Sequence, residues 1–159
     1  MFRFTRRARA LFYVATLLLA LPAVCAAQGP APQANQEKTE EPPFHEYKGV
    51  KIGMTADEAR KKLGNPTDKG DKQDYYALND NETCEVYYGD DKKVYAVKVT
   101  YLGGNAIPAP KNILGIEADS KQDGSLYKML RFPKVGYWVS YMRTAGDSPM
   151  TLVTLQKIQ

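Results

Sequence analysis

The sequence predicts an α+β fold in which short capped helices pack on one face of an antiparallel sheet, as two tandem helix-plus-β-meander units. Three observations lead to this class. A short helix has recognisable start and stop signals, three strand-like segments separated by Asp-, Asn- and Gly-rich turns follow it, and the same order recurs in the second half.

Residues 1–27 have the layout of a secretory signal peptide, with four early arginines, an apolar run over residues 11–21 and small residues up to Ala27. The run is shorter than the roughly 20 residues of a transmembrane helix. We therefore expect no integral membrane span after cleavage, with an uncleaved anchor as the alternative. Lipid attachment at Cys25 is not expected, because Val24 and Pro22 match a lipobox poorly. The chain is predicted to be exported, either to the periplasm or out of the cell.

The formal charge of +4 lies in this predicted leader. Removing its four arginines from the 22 Lys and Arg leaves 18, which equals the 18 Asp and Glu. A neutral domain lacks the basic surface that releases counterions from nucleic acid, so no nucleic-acid partner is predicted. After cleavage only Cys84 remains, which excludes an internal disulfide and favours a small buried residue on a strand.

Residues 28–46 are rich in Pro, Gln and Glu and have almost nothing to bury, so they are predicted to form a disordered spacer. The folded part then begins at about Tyr47. Residues 47–104 are assigned to the first helix-plus-meander unit. Residues 105–159 are assigned to a second, diverged unit that shares the sheet.

The first helix is predicted from its ends. Thr55 is a good N-cap, and Glu58 three residues later completes a capping box. Gly64 supplies the left-handed residue that ends a helix, and Pro66 prevents continuation. Because a two-turn helix is unstable alone, it must dock on a sheet.

The strands of each unit follow its helix. In the first unit they are predicted over 74–78, 83–89 and 93–102. In the second unit a short helix over 108–115 precedes two strands over 136–144 and 150–158, and Tyr127 and Met129 are matched to Tyr76 and Leu78 of the first unit.

Side chains alternate between the faces of a strand, so the repeat also predicts two faces. The face toward the helices is predicted to carry Tyr95, Val97, Val99, Tyr101, Val86, Tyr88, Val139, Tyr141, Val153 and Leu155. The opposite face would carry Glu85, Ser140 and a candidate protein-binding set of Tyr75, Tyr87, Lys98, Trp138 and Met142. Tyr, Trp and Met are enriched at protein interfaces. The alternatives are that the spacer or a dimer partner covers this face, or that both faces are half-buried.

The stretch GVKIGMTADEARKKLGNP, residues 49–66, resembles the signature of the SmpA/OmlA (BamE-like) small subunits of the outer-membrane assembly machinery. The tandem arrangement is similar to the wider group with the fold of the β-lactamase inhibitor protein. The resemblance implies an α+β fold, no catalysis and protein binding in the cell envelope. It also implies structural roles for the motif residues Gly53, Met54, Thr55, Glu58, Leu63, Gly64 and Pro66. SmpA/OmlA proteins are lipoproteins with one unit, whereas this chain lacks a clear lipobox and has two predicted units.

Residues for catalysis are scarce. His45 is the single histidine, so a catalytic triad or a metal site with two imidazoles is excluded. The acidic residues fall in turns without EF-hand spacing, and no glycine-rich stretch matches a phosphate loop. We therefore predict no enzyme activity, cofactor or metal. The expected function is an exported, non-enzymatic protein-binding module of the bacterial cell envelope; the alternative is a secreted or periplasmic inhibitor of a hydrolase that uses the same face. The partner would be another envelope or secreted protein.

Overall fold

The computed structural model of the chain describes residues 41–103 and 107–159. The predicted signal peptide and most of the predicted spacer lie outside the described residues. The elements in chain order are α1 (Ala56–Leu63), β1 (Asp68–Lys69), β2 (Gln73–Asn79), β3 (Glu82–Tyr88), β4 (Val94–Tyr101), α2 (Pro110–Leu114), β5 (Asp119–Ser120), β6 (Leu126–Phe132), β7 (Tyr137–Arg143) and β8 (Thr151–Lys157). Within the described ranges, no helix has the length and apolarity that crossing a bilayer requires.

All eight strands form one antiparallel sheet in the order β1-β2-β3-β4-β8-β7-β6-β5. The two halves of the chain meet at β4 and β8, which pair from Ala96 opposite Gln156 to Tyr101 opposite Thr151. The sheet is therefore continuous across both halves.

The predicted fold class is wrong. The described chain is a sheet-dominated fold with two short helices, and it is not a pair of helix-plus-meander units. α1 has eight residues and α2 only five, so neither half has a helix long enough to cover its own strands. The pairing of β4 with β8 merges the strands of both halves around one core, which is why the helices are minor parts of the fold.

The core lies on one face of this sheet. Inward-facing side chains of the long strands pack there with Ala59 of α1 and with Ile113 and Leu114 of α2. Pro42 and Phe44 are also buried, and the Phe44 N–H donates to the Ile113 carbonyl at 3.3 Å. Residues 41–46, assigned to the spacer from composition, are therefore packed against the domain.

The structure confirms the predicted ends of α1. The Thr55 hydroxyl accepts from the Glu58 N–H at 3.3 Å, and the Thr55 N–H donates to the Glu58 carboxylate at 2.9 Å. Gly64 ends the helix at a φ of 88°. Just before the helix, the Gly53 N–H donates to the Val94 carbonyl at 2.8 Å, and the Met54 carbonyl accepts from the Val94 N–H at 2.7 Å. These two bonds join the segment before α1 to the start of β4.

Leu63 and Pro66, the remaining motif positions, lie at the end of α1 and just beyond it. Leu63 is partly buried and packs against the core, which helps to dock the helix. Pro66 is partly buried in the segment that leads to β1. These positions are consistent with roles in docking and ending the helix.

A buried carboxylate ties α1 to the sheet. The Asp74 side chain on β2 is fully buried and accepts from Arg60 Nε at 2.8 Å and Nη2 at 3.1 Å. It also accepts from the Tyr88 hydroxyl at 2.7 Å and the Gly70 N–H at 3.2 Å. Burial by itself would raise the pKa of the Asp74 carboxyl, but the hydrogen bonds from Arg60, Tyr88 and Gly70 outweigh it and hold the pKa below its ordinary value.

Candidate protein-binding face

The sheet face opposite the core, here called the outer face, carries all five residues of the predicted binding set. Tyr75 lies on β2, Tyr87 on β3, Lys98 on β4, and Trp138 and Met142 on β7; each is partly exposed. Their inward-facing neighbours on the same strands are buried, as strand alternation requires. The predicted division into two faces is confirmed for these strands, with one exception at Tyr95.

The strand register arranges the outer face in three transverse rows. The first row is Tyr75, Glu85, Lys98, Thr154, Ser140 and Met129. The second row is Gln73, Tyr87, Ala96, Gln156, Trp138 and Arg131. The third row is Ala77, Thr83, Thr100, Leu152, Met142 and Tyr127.

Large side chains flank smaller ones in the second row. Tyr87 and Trp138 stand on β3 and β7, three strand spacings or about 14 Å apart, with Ala96 and Gln156 between them. Ala96 is only 3% exposed, so neighbouring side chains cover it, and the row presents an aromatic residue on each side of Gln156 and this covered alanine.

A polar cluster lies beside Tyr87 in this part of the outer face. Glu85 accepts from Lys98 Nζ at 2.8 Å and from Gln73 Nε2 at 3.0 Å, and it also accepts from the Tyr87 hydroxyl. Partial burial would raise the pKa of the Glu85 carboxyl, but the hydrogen bonds from Lys98, Tyr87 and Gln73 lower it overall. The pKa of Tyr87 is raised by burial and by its bond to this carboxylate. Glu85 therefore stays ionised and Lys98 is already paired, so the cluster offers fixed hydrogen-bonding groups and no free cation.

Tyr95 was predicted to face the core, and this is wrong. The pairing of β3 with β4 shifts register between Tyr87 opposite Ala96 and Tyr88 opposite Val94, which leaves Tyr95 as the extra residue of a bulge. Val94 takes the buried position, while the partly exposed Tyr95 ring lies 6.1 Å from the Tyr87 ring, centroid to centroid. The sequence contained a sign of this bulge. Val94 and Val97 are both apolar but three residues apart, and two residues on the same face of a regular strand are separated by an even number.

The predicted match of Tyr127 and Met129 to the inward-facing Tyr76 and Leu78 is also wrong. Tyr127 and Met129 lie on the outer face of β6 and are exposed, whereas Leu130 and Phe132 of the same strand are buried. With Val86 matched to Val139, the strand register makes Phe132 the counterpart of Tyr76, so the sequence match was out of step by five residues. Any odd shift moves every side chain of a strand to the other face. Tyr95, Tyr127 and Met129 therefore enlarge the aromatic and apolar part of the outer face.

The structure places Cys84 in the core and His45 in the segment before α1. Cys84 is fully buried on the core face, as predicted, and burial raises the pKa of its thiol to about 12. His45 Nδ1 lies 3.4 Å from the Pro42 carbonyl oxygen, in the packed segment that precedes α1. In the described part of the chain, no group of three or more His, Cys, Asp or Glu side chains is placed to hold a metal ion.

Comparisons with known proteins add little to this geometry. No protein-family model matches the chain, and no curated protein matches it. A crystal structure of YjgB, a DUF4309 family protein from Bacillus subtilis, is similar at 16% identity and a TM-score of 0.45, covering 69% of this chain and 82% of YjgB. A likeness this weak supports no argument about function, and the resemblance to SmpA/OmlA proteins stays a prediction.

Proposed function

We propose that the protein is an exported, non-enzymatic binding module of the cell envelope and that it binds another protein through the outer face. The observation that supports this best is the outer face itself. Partly exposed aromatic and sulfur-containing side chains from β2, β3, β4, β6 and β7 share one surface around a paired Glu85 and Lys98.

The rigidity of the surface favours binding. Its side chains stand on strands of a continuous sheet, so their positions relative to one another are set before a partner arrives. Binding then costs less conformational entropy than it would on a loop. Tyr and Trp add large contact areas with few rotatable bonds, which is why they dominate the energetics of many interfaces.

The size of the surface is adequate for a protein partner. From β2 to β6 the sheet spans six strands, or about 24 Å at the usual spacing between strands. A standard interface buries about 800 Å² on each partner, so a partner that covered all three rows and the rim would approach this area. Glu85 and Lys98 already form an ion pair, so a partner that hydrogen-bonds to them would not bury an unpaired charge.

The envelope assignment is supported by the signal-peptide pattern and by the resemblance of residues 49–66 to SmpA/OmlA proteins. The lack of a convergent set of catalytic groups in the sequence supports a role in binding, and the single histidine limits the chemistry further.

The proposal is tested by quantitative affinity capture from native envelope extract. A variant with Trp138→Ala and Tyr87→Ala is compared with the parent protein and with Leu102→Ala, a matched control that removes an apolar side chain 52% exposed beyond the end of β4. We expect a partner captured by the parent and by the control to be lost from the double variant, with all three proteins melting at similar temperatures. Equal capture by a folded double variant would contradict the proposal.

The identity of the captured protein separates the two functional classes. Components of an outer-membrane assembly complex would support an envelope module. One soluble hydrolase, bound at a 1:1 ratio and inhibited, would instead identify the protein as an inhibitor that uses the same face.

A further inference from the structure

The two edges of the sheet are closed to different extents. On one side β1 pairs with β2 at Tyr75 and Asp74, and the next edge-facing group, the Ala77 N–H, donates to the Thr67 hydroxyl at 2.9 Å. On the other side β5 pairs with β6 only at Leu126 and Tyr127. The rest of β6 therefore has no strand beyond it among residues 41–103 and 107–159.

The backbone groups on this open edge can be identified from hydrogen bonds at each end of β6. The Ser125 carbonyl accepts from the Lys121 N–H at 2.8 Å, so the Ser125 backbone faces β5. The Phe132 carbonyl accepts from the Gly136 N–H at 2.9 Å inside the turn to β7, so Phe132 faces the opposite way. Since the direction alternates along an antiparallel strand, Met129 and Arg131 present their N–H and C=O groups to the open edge.

The side chains along this edge are apolar and basic. Tyr127 is 42% exposed, Met129 37% and Val135 43%, which makes three of the four exposed large hydrophobic residues of the described chain. Arg131 and Lys134 are exposed too, and neither forms an ion pair with any residue that the structure describes. Edge strands with several free backbone groups are templates for an added strand.

We propose that the edge of β6 at Met129 and Arg131 binds an extended acidic and apolar segment of a partner protein as an added antiparallel strand. The backbone of two partner residues exchanges hydrogen bonds with Met129 and Arg131, a carboxylate stands opposite Arg131, and an apolar side chain stands opposite Met129. The positive charge of Arg131 and Lys134 favours this occupant. A second copy of the chain would instead bring two sets of these cations close together.

This site uses the backbone of β6 and not the Tyr87 and Trp138 side chains of the outer face, so it can bind whether or not those side chains bind a partner. Met129 and Arg131 end the first and second rows of the outer face, so the added strand would lengthen both rows by one residue. The segment bound at the edge would thus lie beside the outer face.

The test uses a defined peptide, acetyl-Thr-Glu-Val-Leu-Thr-amide, and the purified ¹⁵N-labelled protein. In the proposed register the peptide Glu lies opposite Arg131 and its Leu opposite Met129. We expect the amide resonances of Met129 and Arg131 to shift on titration. Methylation of the Glu and Leu backbone nitrogens should weaken binding at least tenfold, whereas methylation of the Val nitrogen, which points away from β6, should change it less than twofold.

Variants of the protein test the same contacts from the other side. Met129→Pro removes an N–H that faces the open edge and leaves the bonds of β6 to β7 in place, so the fold should survive while affinity falls at least tenfold. The parent protein should bind this peptide more tightly than a peptide in which Lys replaces the Glu. Arg131→Glu should reverse that order of affinities. Tyr87 lies on β3, four strand spacings from β6, and Tyr87→Ala should leave peptide binding within twofold, which separates this proposal from the proposed function.

Three results would overturn the proposal. One is the absence of shifts at Met129 and Arg131 up to millimolar peptide. Another is equal binding of the parent peptide and the peptide methylated at Glu and Leu. The third is a concentration-dependent dimer that Met129→Pro abolishes, since a second copy of the chain would then occupy this edge.

Discussion

Replacing Asp74 with alanine removes the carboxylate that ties α1 to β2. In the folded protein this side chain has no exposed surface, and it accepts two hydrogen bonds from Arg60, one from Tyr88 and one from the Gly70 N–H. The substitution therefore leaves a guanidinium and a buried hydroxyl without their acceptor. Removing one partner of a buried ion pair typically costs about 3–5 kcal/mol.

The expected loss lies near the lower end of that range. The Arg60 side chain keeps 21% of its surface exposed, and it also reaches Asp57 at 3.5 Å and the Gly70 carbonyl at 3.3 Å. Part of its charge is therefore solvated or paired in the variant, and we expect a loss of about 3 kcal/mol in the free energy of unfolding. With a urea m-value of about 1–2 kcal/mol/M, the unfolding midpoint falls by about 1.5–3 M.

The assay is urea unfolding followed by far-UV circular dichroism, with Asp57→Asn as the matched control. Asp57 contacts the same guanidinium, but its side chain is 88% exposed, and exposed pairs contribute little, so the control should unfold almost as the parent does. A loss below about 1 kcal/mol for Asp74→Ala, or similar losses for both variants, would refute the assigned role of this buried pair.

The same pair predicts a pH dependence. The folded-state pKa of Asp74 is depressed, so its stabilising contribution is fully present above the unfolded-state pKa of about 3.9 and disappears as the pH falls through the folded-state pKa. The stability difference between the parent and Asp74→Asn should thus be constant from pH 7 to 5 and shrink below about pH 4. A difference that does not change down to pH 2.5 would contradict the depressed pKa.

Two further predictions concern α1 and the core. Thr55→Ala should lower the free energy of unfolding by about 1 kcal/mol, because the Glu58 N–H loses its cap; Thr55→Ser, which keeps the hydroxyl, should restore most of it, and equal losses would exclude the capping explanation. Cys84 should be unreactive toward a thiol reagent at pH 8 in the folded protein and react fully in 6 M guanidinium, because burial raises the pKa of its thiol to about 12. Rapid labelling of the native protein would show that Cys84 is accessible.

The outer face was predictable from the sequence to the extent that strands alternate regularly. Tyr75, Tyr87, Lys98, Trp138 and Met142 were assigned to one face from period-two patterns, and the structure places them there. The prediction failed where pairing between strands overrides the pattern of a single strand. The bulge at Tyr95 comes from the register of β3 against β4, and the face of β6 comes from its register against β7.

Long-range contacts account for the remaining differences. Composition placed residues 41–46 in a spacer, but Phe44 is buried because it reaches α2, about 70 residues further along the chain. The burial of Asp74 likewise depends on Arg60 and Tyr88, which reach it from a helix and a neighbouring strand. A polar residue within a strand pattern does not show by itself that a partner will make its burial favourable.

The features set by short-range sequence are therefore the ends of α1, the core side of most strands and the burial of Cys84, because caps and alternation depend on residues only a few positions apart. The shared sheet was also expected from the sequence. The features set by the three-dimensional structure are the choice of β4 and β8 as the strands that join the halves, the outward position of Tyr95 and the open edge at Met129 and Arg131. Each of these depends on which strands become neighbours and in what register, and that choice is made by burial of the whole core across long separations in the chain.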